Sequence, residues 1–175
     1  MKKEYDIIIG IDPDVNRNGV AVLDIKTGNM LMYSMSFPEL IRWLHEQSEA
    51  VCKDMMRRLV VVEASWKTQT NWHGRYGDSR RVSARKGYDV GCNHETGRKI
   101  VEVAQSTLLE VKEKYPLRKI WKGKDGKITH VELVSLLEGS GIVCNTRRSN
   151  QEERDAALLA LDASGMPIRM KGGVI

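Results

Sequence analysis

No apolar run in the sequence approaches the roughly eighteen residues that a membrane-spanning helix needs. The opening Met1-Lys2-Lys3-Glu4 leads straight into a short apolar segment without a cleavage site, so neither a span nor a secretory leader is expected. Cysteine is scarce. Cys52, Cys92 and Cys144 are odd in number and far apart, which predicts reduced thiols and a cytoplasmic location. Cys92 and His94 have no second close pair that would complete the four ligands of a zinc site. Repeats, low-complexity tracts and linkers are also missing, so the 175 residues are expected to form one domain over 1–165 with a short tail over 166–175.

Hydrophobic residues make up 41% and charged residues 29% of the chain, as in an ordinary globular protein. Net charge is +5, and its placement says more than its size. Residues 64–88 hold Lys67, Arg75, Arg80, Arg81, Arg85 and Lys86 against one acid, Asp78, so this stretch carries the whole excess. Such a local excess suits either a phosphate-binding surface or a solvated loop.

Residues 6–12, Asp-Ile-Ile-Ile-Gly-Ile-Asp, form a β-branched run ending in an acid and proline, the pattern of a buried central strand. A turn over 16–19 precedes Val20-Ala21-Val22-Leu23-Asp24, and a second turn at 26–29 precedes a strand over 30–35. These close connections predict an antiparallel meander. Leu40, Ile41, Leu44, Val51 and Met55 keep helical spacing, interrupted by Ser48. Residues 59–63 form another β-branched run ending in an acid. The basic stretch 64–88 has no period and contains Gly74, Gly77 and Gly87, so it reads mainly as loop. Helical spacing returns at Ile100, Val103, Ala104, Thr107, Leu108 and Val111, and Pro116 closes that helix. Lys119-Ile120-Trp121 reads as a short strand, 122–127 as a basic turn, 129–138 as a helix and Ile142-Val143-Cys144 as a further extended piece. A last helix is expected over 150–164, followed from Gly165 by a loosely held tail. The order predicts an α/β fold with a mixed five-stranded sheet flanked by helices.

Hydrolysing a phosphodiester near neutral pH needs a strong nucleophile and neutralisation of the attacking and leaving oxygens. Two Mg²⁺ ions roughly 3.5–4 Å apart meet both needs, with Mn²⁺ as the expected substitute. Their hard oxygen ligands appear in sequence as acids from separate elements that converge. Asp12 ends the first strand and Glu63 the fourth. If these strands are adjacent and parallel, both acids reach the sheet edge where open α/β sheets bind ligands. Glu152 and Asp155 are three apart at the mouth of the last helix and share a face, whereas Glu153 faces elsewhere. Each has a structural alternative. Asp12 suits a turn before Pro13, and Glu63 is the first polar residue after a strand. Glu152 matches a capping box with Ser149; if Asn150 caps instead, Glu153 takes that part and Glu152 is free for metal. Asp14, Asp24 and Asp162 read as turn or surface acids.

These residues resemble the RuvC Holliday-junction resolvases of the RNase H-like superfamily. Ile9-Gly10-Ile11-Asp12-Pro13 followed by Gly19-Val20-Ala21-Val22 is similar to the family's opening motif, and Val62-Glu63-Ala64-Ser65-Trp66 to its second. Gly91 and residues 97–104 resemble its central helix, and Asp155-Ala156-Ala157-Leu158-Leu159-Ala160-Leu161 its last motif. The resemblance implies an RNase H-like nuclease in which Asp12, Glu63, Glu152 and Asp155 are catalytic metal ligands for Mg²⁺. It implies phosphate contacts from Lys122 or Lys127 and an aromatic at the junction centre, Trp66, with Trp72 a second candidate further along the loop. Lys67, Arg75, Arg80, Arg81, Arg85 and Lys86 would bind the arms of the branched DNA. It also implies a homodimer about the helix over 97–114, with Val101 and Leu109 as an apolar face, working near the nucleoid or, for a phage protein, in the host cytoplasm. Asp14 departs from the family, which usually has Gly after the acid-proline pair, and the loop after Glu63 is unusually basic.

Three other readings share parts of this pattern. An actin-like or Hsp70-like ATPase shares the opening strand-turn-strand but needs a second lobe and a later phosphate loop. A nuclease acting on RNA–DNA hybrids or simple duplex would use the same acids. A non-catalytic DNA-binding module would gain nothing from four acids facing phosphates.

Overall fold

The computed structural model describes residues 5–68, 77–144 and 146–169. Trp72, Arg75 and the tail residues 170–175 lie outside the described residues. Five strands, β1 (Ile7–Asp12), β2 (Asn18–Asp24), β3 (Met30–Met35), β4 (Arg58–Glu63) and β5 (Glu110–Lys114), form one sheet in the order β3-β2-β1-β4-β5. The first three are antiparallel neighbours, while β4 runs parallel to both β1 and β5. This is the mixed five-stranded sheet flanked by helices expected from the sequence.

The sheet is covered on both faces, which is why β1 and β4 read as unbroken apolar runs. Ile9, Ile11, Val20, Val60 and Val62 pack against Leu40 and Leu44 of α1 (Phe37–Asp54) and Ile100, Val101 and Ala104 of α2 (Arg80–Gln105). Ile8, Ala21, Leu23, Leu59 and Val61 point the other way. They meet α3 (His130–Gly139) and the apolar run Ala156 to Leu161 of α4 (Gln151–Ala163). Ser48 interrupts the α1 stripe for a reason: its buried hydroxyl accepts the Leu108 backbone N–H at 3.0 Å.

Four expectations are corrected. The helix does not run on to Pro116. It ends at Gln105, where the Ser106 and Thr107 hydroxyls turn back onto the Val103 and Ala104 carbonyls at 2.7 and 2.6 Å. Such local bonds compete with helix continuation. Glu110–Lys114 then pairs with β4, so this is the fifth strand, and Lys119-Ile120-Trp121 joins no ladder. Residues 80–88 are not loop but the start of α2, capped by Ser79, whose Oγ accepts from Val82 N at 3.3 Å. The first half of that helix is largely exposed, so burial imposed no apolar period on it. Finally, Val101 and Leu109 are only 6% exposed and belong to the core, so they offer no second apolar face. The extended piece at 142–144 survives as a single bridge between Asn29 and Val143. Of the tail, Met166 and Ile168 pack against the α4 side of the core.

Candidate active site

Strand alternation places Asp12 on the face of Ile8 and Gly10, and Glu63 on the face of Leu59 and Val61. That is the face covered by α4. Because β1 and β4 are parallel, both acids leave the sheet at the same edge. Asp12 also pairs with Gly19 across the β1–β2 ladder. Helix α4 crosses here with its backbone almost on the sheet. A Cβ at Gly19 would overlap the Glu152 carbonyl, and one at Gly10 would overlap that of Ala156. These two glycines let α4 approach closely enough to bring its first turn beside Asp12.

The cap of α4 settles which acid of that turn is engaged elsewhere. Asn150 is the cap: its Oδ1 accepts from Glu153 N, and Glu153 Oε2 accepts from Asn150 N, both at 2.8 Å. Glu153 is therefore the box partner, and Glu152 is left toward the sheet edge. Asp155 Oδ1 accepts from Gln151 Nε2 at 2.8 Å, and Gln151 in turn takes a bond from Arg154 at 2.9 Å. Arg154 also donates to the carbonyls of Ile128, at 2.9 Å, and Ser149, tying the start of α4 to the segment before α3.

Charge interactions link Asp12 to each of the other three acids. Burial, then the charges of Glu63, Asp155 and Glu152, push the Asp12 carboxyl well above the usual carboxylate range, against the pull of Lys119. Burial and Asp155 push Glu63 up to about 7, opposed by Lys119 and Lys127. Burial raises Asp155 too, against Lys119, the Gln151 bond, Lys127 and Arg154. Glu63 and Asp155 line a narrow crevice closed by Leu117, Lys119, Trp121 and Leu158.

Lys119 was missed in the sequence. Its signal was alternation in the extended segment after β5, where Leu117 and Trp121 pack against the core and Lys119 stands between them. Of the two lysines that the resemblance offers for phosphate contact, Lys127 faces Glu63 and Asp155, whereas Lys122 lies by Glu132, which accepts its backbone N–H at 2.9 Å.

An all-carboxylate donor set whose members repel one another suits a hard divalent cation. Two of the acids, Glu63 and Asp155, line the crevice, and the four form no finished cage: among the described residues no three carboxylate, imidazole or thiol side chains are close enough to hold an ion as they stand. Asp12, Glu63, Glu152 and Asp155 are the residues that would hold it.

On the opposite face Trp66 follows β4 in a short 3₁₀ turn (Ser65–Lys67). Its half-buried ring lies on Gly97 of α2, where a Cβ would overlap ring atom Cζ3, and Arg98 sits over it at 5.9 Å. This is the packing that competes with a role at a junction centre. In the basic segment Lys67 pairs with Glu113 at 3.0 Å, Lys86 with Asp78 at 2.6 Å and Arg85 with Asp89 at 3.1 Å. Arg80 and Arg81 are exposed in the first turn of α2. No helix among the described residues is long and apolar enough to cross a membrane.

No family model and no curated protein matches the sequence. Among solved structures the chain is similar to Thermus thermophilus RuvC, free (17% identity, TM-score 0.44, covering 89% of this chain and 91% of that one) and in complex with a Holliday junction substrate (14%, TM-score 0.43, 89% and 90%). It is also similar to the yeast mitochondrial Holliday junction resolvase Ydc2 (12%, TM-score 0.37, 90% and 77%). These likenesses are distant in sequence and backbone alike.

Proposed function

We propose that this chain is a divalent-metal-dependent endonuclease that cuts branched DNA, with four-way junctions as substrate. The observation that carries this reading is the close approach of α4 to β1 and β2, which sets Glu152 and Asp155 beside the edge where Asp12 and Glu63 leave the parallel strands. Three separate elements bring four carboxylates to one sheet edge. A fold gains no stability from such an arrangement unless a cation offsets the repulsion.

Asp12, Glu63, Glu152 and Asp155 would hold Mg²⁺, two ions per site, with Mn²⁺ as a substitute. Bound there, the metal supplies an activated water and neutralises charge on the phosphate oxygens. The chain's own residues do the rest. Lys119 and Lys127 keep positive charge beside the acids, where an approaching phosphate needs it, and Gln151 fixes the rotamer of Asp155. Arg80, Arg81 and their neighbours on α2 carry the basic charge that attracts the DNA arms. The choice of branched DNA rests on the resemblance of the opening and last motifs to the RuvC resolvases, and so does a homodimer making two symmetric nicks. Val101 and Leu109 are core residues, so a dimer seam on α2 would use its exposed half, where Val82 and Tyr88 are 43% and 69% exposed.

The test is incubation with labelled four-way junction, linear duplex and RNA–DNA hybrid, with and without Mg²⁺. Mg²⁺-dependent cutting confined to the junction is expected. Preference for the hybrid would move the chain to another class of RNase H-like nuclease, and cutting of none would remove the enzymatic reading.

A further inference from the structure

The turn that follows Asp12 is held from two sides. From within, Asn18 is fully buried; its Oδ1 accepts the Asp14 N–H at 3.1 Å and its Nδ2 donates to the Met35 carbonyl at 3.2 Å. Asp14 shapes the turn itself, its Oδ1 accepting from Asn16 N at 2.8 Å and Arg17 N at 3.3 Å. The outer hold comes from far along the chain. Asn93, half-buried on α2, accepts the Val15 backbone N–H on its Oδ1 at 2.9 Å, and its Nδ2 approaches Asp14 Oδ2 at 3.4 Å. One amide thus spans a backbone donor and a carboxylate acceptor on the same turn. Asn93 also lies between the exposed basic start of α2 and the stretch around Gly97, Ile100 and Ala104 that is locked in the core.

We propose that Asn93 is a positioning residue that clamps the Asp12 turn to α2, so that the helix carrying the basic segment also sets the placement of the first metal-ligating carboxylate. This rests on the reading of Asp12 as a metal ligand. Asp14 is half of the clamp, which gives a purpose to an acid at a position where the resembled family usually has glycine. The consequence is a coupling: DNA that bears on the basic half of α2 acts on the Asp12 turn through one side chain. The Val15 bond is the stronger contact, since 3.4 Å is long for a hydrogen bond.

The clamp is tested on the full chain by three measurements that need no turnover: hydrogen exchange of the Val15 amide, Mg²⁺ titration by calorimetry, and junction binding in EDTA. Asn93→Ala should speed Val15 exchange and weaken Mg²⁺ binding roughly three- to tenfold, the loss expected for one or two modest hydrogen bonds. The fold should stay intact, with a stability loss no larger than those bonds account for, and metal-free junction binding should hold. Asn93→Asp keeps an acceptor for Val15 but opposes Asp14 with a like charge, so it should weaken Mg²⁺ binding at least as much. Adding Asp14→Asn to Asn93→Asp exchanges donor and acceptor across the contact and should restore Mg²⁺ affinity to near wild type. A merely local packing role would not produce that rescue. Unchanged Val15 exchange and Mg²⁺ affinity in Asn93→Ala, or a double variant no better than the worse single one, would overturn the clamp. If wild type binds no Mg²⁺ or cuts no junction, the proposed function fails instead, and Val15 exchange in the same three variants still decides whether Asn93 holds the turn.

Discussion

A side chain at Gly19 would drive its Cβ into the carbonyl oxygen of Glu152, because helix α4 lies directly on β2 with nothing between the two backbones. Gly19 is also the ladder partner of Asp12, so the same close approach sets the distance between the acids of α4 and the acid of β1. Gly19→Ala must push α4 outward. Overpacking of this kind costs about 1–3 kcal/mol, and here it also separates the acids proposed to hold the metal. Denaturant titration should show that loss, and Mg²⁺ affinity should fall further than the stability change explains. Wild-type stability together with wild-type Mg²⁺ binding would mean that α4 can slide freely.

The carboxylate cluster makes the metal-free protein sensitive to pH in a definite direction. Glu63 titrates at about 7 when folded against 4.5 ordinarily. An acid whose folded pKa is raised holds its proton more tightly when folded. The folded state therefore loses stability as pH rises from about 4.5 to about 7, and this group adds no further loss above that. Its contribution is on the order of 3 kcal/mol, and Asp12 and Asp155 shift the same way. Thermal denaturation in EDTA should give a falling Tm across that window, with Mg²⁺ restoring more at pH 8 than at pH 5. A flat or rising metal-free profile would contradict the clustering.

Salt dependence should separate the basic residues from one another. Lys67, Lys86 and Arg85 each face an acid, whereas Arg80 and Arg81 are exposed at the start of α2. Each phosphate contact on duplex DNA contributes about −0.9 to the slope of log affinity against log salt. Replacing Arg80 and Arg81 together by Ala should flatten the slope by up to ~2, for all junction sequences alike. Lys86→Ala should change it less. An unaltered slope in the arginine pair would place the α2 charge away from DNA.

Trp66 and Gly97 should behave as one packing unit. Gly97→Ala places a methyl where the indole lies, so the ring must leave α2. Tm should fall and Trp fluorescence should shift to the red, as in partial exposure of an indole. Trp66→Ala should cost about 1–3 kcal/mol and make a further Gly97→Ala nearly silent. Additive losses in the double variant would refute the contact. If Trp66→Ala stays folded and loses its preference for junction over duplex, the ring also serves the DNA.

Legibility of the fold from sequence followed burial. The meander, β4, α1, α3 and α4 were readable because their packed faces impose periods of two or 3.6. The exposed half of α2 has no packed face and looked like loop. Val111 kept helical spacing by coincidence, and only pairing with β4, far away in the chain, makes its segment a strand. In the site, Asp12 and Glu63 were visible as acids ending buried strands. The choice between Glu152 and Glu153 was open because Ser149 and Asn150 are both good caps, and only the observed cap decides it. Lys119 stayed hidden because it sits in an irregular segment whose course is set by where Leu117 and Trp121 find the core.

The central claim, that the four acids form a metal-dependent cutting centre separate from the DNA-binding surface, is tested most directly by Asp155→Asn. The amide keeps the shape of the side chain and removes a charge from the proposed ligand set. On labelled four-way junction in Mg²⁺, the account predicts that cleavage collapses while junction affinity, measured in the same buffer without metal, stays within a few-fold of wild type. Cleavage by this variant at close to the wild-type rate would contradict the account.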